Sequence, residues 1–390
     1  MDFSPTPRYL RARLGLYYAG VFASVGVFVP FWPLWLEAQG LNAAEIGVVM
    51  AAAIAAKIAS NPLVGHAVDR LGRRRHPMIL LGVASLVAYA LFPLVHGFWA
   101  ILALNILASA LFAAIMPLGE NVTMLAAGRH GFQYGRVRLW GSLAFIVCAW
   151  AGGHAVGLLG TGSVLPMVIL SLFALVAVIA LLPEIATPPA SSGETNGAET
   201  LGQLLADPAF RLFLLTGCLI QIGHMIYYGF ATLHWRAAGH DEGTIGLLWA
   251  EGVLAEVVLF LFGGRVLSRL GPARLMLLAA LGGVVRWTVV GMTTALPALL
   301  AVQTLHALTF GAMHLGAMHF LAKAVPAKLS ARAQGFYSSI TMGVAPGLAM
   351  LASGALYAAL GGKAFLVAAA VTLLAALAAM ALIRVWQEPD

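Results

Sequence analysis

The sequence predicts an all-α integral membrane protein of twelve transmembrane helices, set out as two pseudo-symmetric six-helix bundles. Three observations carry this prediction: the composition, the spacing of apolar runs and a repeat between the halves. Of 390 residues, 61% are hydrophobic and 9% charged, whereas soluble chains run at about 45–50% apolar and about 25% charged. So few charges cannot cover a water-exposed surface of this size. Disorder is excluded too, because it needs low hydrophobicity and high net charge. Two cysteines exclude a disulfide scaffold and a multi-cysteine metal site.

A helix needs about 20 mostly apolar residues to cross the hydrocarbon. That ruler places spans at roughly 14–36, 44–66, 77–95, 98–120, 138–159, 163–183, 210–235, 243–265, 273–293, 297–322, 333–358 and 363–386. Pro30, Pro33, Pro62, Pro117 and Pro346 fall inside them and are tolerated, as membrane helices accept proline. Strands of a membrane barrel would alternate over short segments, and none of these runs does. The first run is long and has no small-residue cleavage site after it, so it is expected to stay as a span and not be removed as a signal.

The net charge of +7 sits in short clusters between apolar runs, not in the basic stripe of a nucleic-acid reader. No nucleic-acid partner is therefore expected. Twelve spans leave both termini on one side. All but four of the 22 Lys and Arg residues fall on that side; Arg236 and Lys363 lie opposite, and Lys57 and Arg286 lie within spans. The positive-inside rule then puts both termini in the cytoplasm of a multi-pass inner (cytoplasmic) membrane protein. One segment, Pro183 to Pro208, is rich in Pro, Ser, Thr, Gly and acid and reads as a flexible linker, with a short surface helix near Leu201–Ala206. The expected domains are residues 1–183, a cytoplasmic linker 184–208, and residues 209–390.

Gly65-His-Ala-Val-Asp69-Arg70-Leu71-Gly72-Arg73 follows span two, and Gly264-Arg-Val-Leu-Ser268-Arg269-Leu270-Gly271-Pro272 follows span eight, at an offset of 199. The same offset aligns the stretch from Gly40 to Gly47 with that from Gly239 to Gly246. Two segments in register at corresponding loops argue for duplicated halves, an architecture of transporters with a site between repeats.

The stretch GxxxDRxGRR between spans two and three resembles the signature loop of the major facilitator superfamily, and twelve spans with a long central linker fit that family over the whole chain. The resemblance implies that Gly65, Asp69, Arg70, Gly72 and Arg73 form a gating motif, a charge relay with helix ends that steadies one state of alternating access. The second copy departs from it, with Ser268 for the acid and Pro272 for an arginine. A finer resemblance is to the phenylpropionate permease-like branch, related to lactose permease. It rests on PFWPLWL (Pro30–Leu36), YGRVRLWGSLAFI (Tyr134–Ile146), GHMIYYGF (Gly223–Phe230) and LHALTFGAMHLGAMHF (Leu305–Phe320).

Ionisable groups inside spans cost roughly 2.5–3.5 kcal/mol each at the helix centre and default to functional candidates. Glu256, near the middle of span eight, is the first candidate for carrying a proton, because burial and nearby cations push a carboxyl's affinity for protons in opposite directions. The bland alternative is a permanent ion pair. Glu251 lies five residues away, turned by about 140°. Arg286 beside Glu256 resembles the lactose-permease arrangement, in which charges on spans eight, nine and ten handle proton and sugar. Span ten here has His306, His314 and His319 but no acid, so the resemblance implies that His306 or His314 takes the coupling role alone or with Glu256. Each histidine has an equal bland reading as a hydrogen-bonded packing residue.

Spacing adds substrate-binding candidates. Gln221, His224 and Tyr228 share a face of span seven, and Gln303, Phe310 and His314 fall on one stripe of span ten, since residues seven or eleven apart return near the same helix angle. Glu120 and Arg138 are expected to pair across the inner end of the first half, either as a substrate site, which resembles the acid and arginine that hold sugar in lactose permease, or only as a gate. Lys57 is the one ammonium deep in that half and calls for an anionic substrate or a carboxylate partner. Trp32 offers an apolar face to a ring. No His-x-x-x-His spacing supports a metal or haem, and no cofactor or metal is expected.

The leading functional expectation is proton-coupled uptake of a small organic solute, an aromatic monocarboxylate such as a phenylpropanoate first, with small-molecule substrate, protons and lipid bilayer as partners and a monomer as working unit. Sugar or nucleoside symport and export by proton antiport stand as alternatives. An integral-membrane enzyme is a distant one, since no nucleophile–base pair or phosphate-cradling loop appears.

Overall fold

The computed structural model describes residues 7–184, 202, 204–326 and 329–386. The bulk of the linker, including Leu201, lies outside them; Leu204–Ala206 is helical. Lys328, one of the loop cations, also lies outside. Helices account for nearly all of the described residues, and no strand occurs among them.

The first half comprises α1 (Pro7–Ala38), α2 (Ala43–Leu71), α3 (Arg75–Ala90), α4 (Phe98–Ala113), α5 (Ile115–His130), α6 (Tyr134–Leu159) and α7 (Val164–Ala180). The second comprises α8 (Pro208–Ala237), α9 (Glu242–Leu270), α10 (Pro272–Met292), α11 (Leu296–Gln303), α12 (Met313–Ala324), α13 (Ser330–Ser339), α14 (Ala345–Leu360) and α15 (Ala364–Val385). Span four is α4 and α5, broken at Ala114. Spans ten and eleven each contain a π-helical segment, Ala307–Ala312 and Ile340–Val344. Eleven continuous stretches among the described residues are long and apolar enough to cross a membrane. The last, Arg332–Val385, has 54 residues; at 1.5 Å per residue it would run about 80 Å, far beyond the hydrocarbon. It instead turns at the 3-10 segment Gly361–Lys363, which gives twelve crossings.

Local chemistry sets the helix ends. Asn42 and Glu45 close a capping box at the start of α2, each side chain accepting the other's backbone N–H at 2.9 and 3.0 Å. At the start of α9 the Asp241 carboxylate accepts from the Thr244 hydroxyl (2.6 Å) and its N–H (2.9 Å), bonds that hold it below the usual carboxylate range. Asn42 and Asp241 are 199 residues apart. So are Gly40 and Gly239 (φ 87° and 92°), and Gly72 and Gly271 (φ 64° and 71°), positions where positive φ favours glycine. Packing recurs as well. The partners α1–α6, α1–α7, α3–α7 and α3–α4 reappear as α8–α14, α8–α15, α10–α15 and α10 with the π segment and α12 of span ten.

By contact the chain divides into two compact units, Met1–Ser192 with His240–Ala250, and Gly193–Gly239 with Glu251–Asp390. The repeat predicts matched halves; the unit boundary departs from it by passing through α9.

Candidate functional site

In the second unit, Arg286 on α10 is fully buried. Its Nη1 donates to His306 Nδ1 and to the Thr309 hydroxyl, each at 3.0 Å, and its Nη2 donates to Gln303 Oε1 at 2.9 Å. The guanidinium also lies over the rings of Tyr227 (4.5 Å) and Trp287 (4.6 Å). Gln303 passes the bonding on, donating from Nε2 to the Tyr227 hydroxyl at 2.9 Å. Neutral acceptors and ring faces together replace the water this cation has lost.

The donors fix the proton positions on both histidines. Arginine only donates, so His306 Nδ1 accepts and its hydrogen sits on Nε2, which faces Glu256 Oε2 on α9 at 3.8 Å. His224 Nδ1 is 2.9 Å from the Ile220 carbonyl, an acceptor only, so Nδ1 carries the hydrogen. His224 Nε2 then accepts from the Thr309 hydroxyl at 3.1 Å. One relay therefore runs from Glu256 through His306, Arg286 and Thr309 to His224. Glu256 and His306 retain 15% and 9% side-chain exposure, whereas His224 and Gln303 have none.

Those burials correct part of the expected site. His224 and Gln303, expected to face a ligand, hydrogen-bond within the relay and have no exposed surface in this structure. Gln221 is buried, its Nε2 2.8 Å from Met342 Sδ. Tyr228 stays partly accessible and stacks on His224 at 5.7 Å. His314 is exposed and stands beside Phe260. Gln303 and His314 thus do not share a face: the seven- and eleven-residue spacing assumes a regular helix, and the π segment Ala307–Ala312 widens the turn between them. Tyr227 and Thr309, which complete the relay, carry no charge and went unseen in the sequence.

In the first unit, Lys57 on α2 is exposed. It has no hydrogen-bond or ion-pair partner among the described residues, though Glu120 on α5 is within electrostatic reach. The expected Glu120–Arg138 pair is not made: no ion pair joins them among the described residues. Glu120 accepts instead from the Tyr134 hydroxyl at 3.4 Å, and Arg138 lies over Phe22 at 3.9 Å and Tyr18 at 5.4 Å. Trp32 is corrected from ligand contact to core. It is fully buried, stacked between Phe28 and Trp35, and its Nε1 donates to Asn105 Oδ1 at 3.1 Å. An indole N–H deep in a bundle needs a partner, and Asn105, itself anchored to the Val49 carbonyl at 3.1 Å, supplies it.

At the signature turn, Asp69 pairs with Arg74 at 3.1 Å. Arg70 and Arg73, expected to form the relay, are exposed instead, because Arg74 is the arginine that the turn folds inward. Gly72 ends α2 in the left-handed conformation, and Gly65 lines a small cavity of about 130 Å³ with Asp69 and Arg74. Glu184, beyond α7, accepts the backbone N–H of Arg74 at 2.7 Å and of Arg75 at 3.2 Å, and meets His76 Nδ1 at 3.2 Å. Partial burial raises its proton affinity, but these bonds and the Arg75 charge outweigh that and hold the carboxyl below its usual range.

Residues 12–368 match the model of the MFS_1 like family. The chain belongs to that family, within the major facilitator superfamily. Among curated proteins it is 32% identical to a probable 3-phenylpropionic acid transporter of Escherichia coli (strain K12), covering 92% of this chain and 94% of the relative. It is 24% identical to a lactose permease of Citrobacter freundii, covering 79% of this chain and 78% of the relative. Among solved structures, the nucleoside transporter NupG superposes with a TM-score of 0.84 over 97% of this chain and 100% of that one, at 17% identity; that likeness speaks for the fold alone. This member of the family is accordingly a multi-pass secondary transporter of a small molecule and not an enzyme.

Proposed function

We propose that this transporter imports a small aromatic monocarboxylate together with a proton, by alternating access, across the inner membrane and with both termini in the cytoplasm. The observation that carries the substrate's charge is Lys57, an exposed intramembrane ammonium with no bonding partner among the described residues. A carboxylate would answer it. The aromatic ring is supported by the 3-phenylpropionic acid named for the E. coli relative.

The proton's place is supported by the relay in the second unit. Glu256 is its accessible end, and Arg286, by donating to Nδ1, holds His306 neutral with its N–H towards Glu256. A proton reaching the Glu256 carboxylate cancels the charge facing that N–H and leaves the imidazole to Arg286. His306 gains a second proton only when Arg286 releases Nδ1, so the position of span nine governs where the proton rests. Coupling follows if substrate and proton favour the same conformational state.

The test is transport into proteoliposomes under an imposed pH gradient. Wild-type protein should concentrate 3-phenylpropionate, and Glu256→Gln should abolish uphill accumulation while preserving counterflow exchange. A Glu256→Gln protein that still concentrates substrate against its gradient refutes the assignment of the carrier. A thermal-stability screen against acids, nucleosides and sugars tests the substrate class, because a ligand of the folded state raises apparent stability.

A further inference from the structure

The turn from α9 to α10 is the second copy of the basic turn, and it holds a cavity that the transport relay does not use. The cavity has a volume of about 300 Å³, and Ser268, Arg269, Arg274, His319 and Lys323 line it with the backbone around Gly271. None of its lining residues is acidic. Arg269 and Arg274 are exposed and have no hydrogen-bond or ion-pair partner among the described residues.

A second cavity of about 400 Å³ adjoins it, sharing Arg269 and Leu270 and lined otherwise by Phe262, Arg265 and Val266. Phe262, Arg265 and Arg269 are spaced by three and four residues, so they form one stripe along α9. From Arg269 to Phe262 that stripe runs about 10 Å along the helix, from the end of the span towards the hydrocarbon. Cations thus mark the level of the lipid headgroups, and an exposed aromatic surface continues below them.

The first repeat demonstrates what this scaffold does with an anion. There the Glu184 carboxylate sits on the first amides of α3, beside Arg75 and His76, and Asp69 takes Arg74. The 199-residue offset pairs Arg75 with Arg274 and Asp69 with Ser268. The second repeat keeps two of the four arginines, Arg269 for Arg70 and Arg274 for Arg75, has Pro272 and Ala273 in place of Arg73 and Arg74, and lacks both acids among the residues lining its cavity. We propose that the two adjoining cavities bind one anionic phospholipid, its phosphate against Arg269 and Arg274 and an acyl chain along Phe262 and Val266. A free phosphate ion shares the headgroup chemistry but has no use for the apolar groove.

The test uses the full-length, delipidated protein in neutral detergent, with phosphatidylglycerol, phosphatidylcholine and inorganic phosphate as probes, read by native mass spectrometry and thermal shift. Phosphatidylglycerol should be retained and should raise the melting temperature. Arg269→Ala and Arg274→Ala, both surface changes, should each weaken its binding about fivefold, and Phe262→Ser should weaken it without changing any response to phosphate. Equal binding of phosphatidylcholine overturns the headgroup assignment. Equal stabilisation by inorganic phosphate overturns the lipid, and wild-type affinity in both arginine variants overturns the site. Glu388 and Asp390 lie outside the described residues, so a chain ending at Trp386 is the control. If that chain binds phosphatidylglycerol while the full chain does not, the tail is the occupant and the proposal falls.

Discussion

The two intramembrane cations of this chain are kept in opposite ways. Arg286 has no exposed surface and engages three side-chain acceptors and two aromatic faces. Lys57 is exposed and makes no hydrogen bond or ion pair among the described residues, with the Glu120 charge within electrostatic reach. A charge taken out of water needs partners; Arg286 finds them through both terminal nitrogens, while its Nε is buried without a hydrogen-bond partner, so the residue is first of all structure. A charge left without a bonded partner keeps its capacity to bind, and the anion-binding role proposed for Lys57 rests on that. The second unit spends its polar groups on one another, while the first leaves its cation open.

The largest effect is expected at Arg286. Arg286→Met strands His306, Gln303 and Thr309 without their donor and should cost at least about 3 kcal/mol of stability, read as a fall in melting temperature in detergent. Arg286→Lys should not restore it, because one ammonium cannot reproduce the planar fork that reaches Gln303 and His306 together. A methionine variant that melts with the wild type would erase the contrast. Lys57→Met should do the reverse, leaving the melting temperature unchanged while raising KM for a carboxylate substrate about tenfold. If the melting temperature drops instead, Lys57 has a structural partner after all.

The smallest effect sharpens the contrast at the membrane edge, where Glu184 is a charge paid for by backbone amides. Glu184→Gln weakens a helix cap and should cost about 1 kcal/mol. Because the folded state depresses this carboxyl, its contribution is complete above the unfolded value of about 4.3 and is lost as pH falls through the lower folded value. The gap in stability between wild type and variant should therefore be constant near neutrality and close only in acid. A gap that persists at the lowest pH would mean that the side chain's shape matters there, not its charge.

Hydropathy made the spans legible, and a fixed offset made the repeat legible down to single residues: Gly40 and Gly239 share a backbone conformation, and Asn42 and Asp241 share a capping role. The depth of Glu256, Arg286 and His306 was readable too, because a charge inside an apolar run marks itself. Direction was not. Trp32 and His224 lie at plausible depths yet face the interior of their own units, and one sequence fixes only the angle between residues on a regular helix. Where span ten ceases to be regular, even that angle is lost. Tyr227, Thr309 and Asn105 escaped notice for another reason. Uncharged polar residues are common in membrane helices, and their importance here comes from the partner each one meets.

That irregularity has a counterpart. The break at Ala114 in span four and the start of α12 at Met313 are also 199 residues apart, so both halves interrupt the same helix at the same level, one by a discontinuity and the other by a π turn. In the first, the Tyr17 hydroxyl donates to the Ile115 carbonyl at 2.7 Å, tying the joint to α1. An interrupted helix bends with fewer backbone bonds to break than a continuous one. Each bundle therefore contains its own elbow, a point at which one helix can flex within its half.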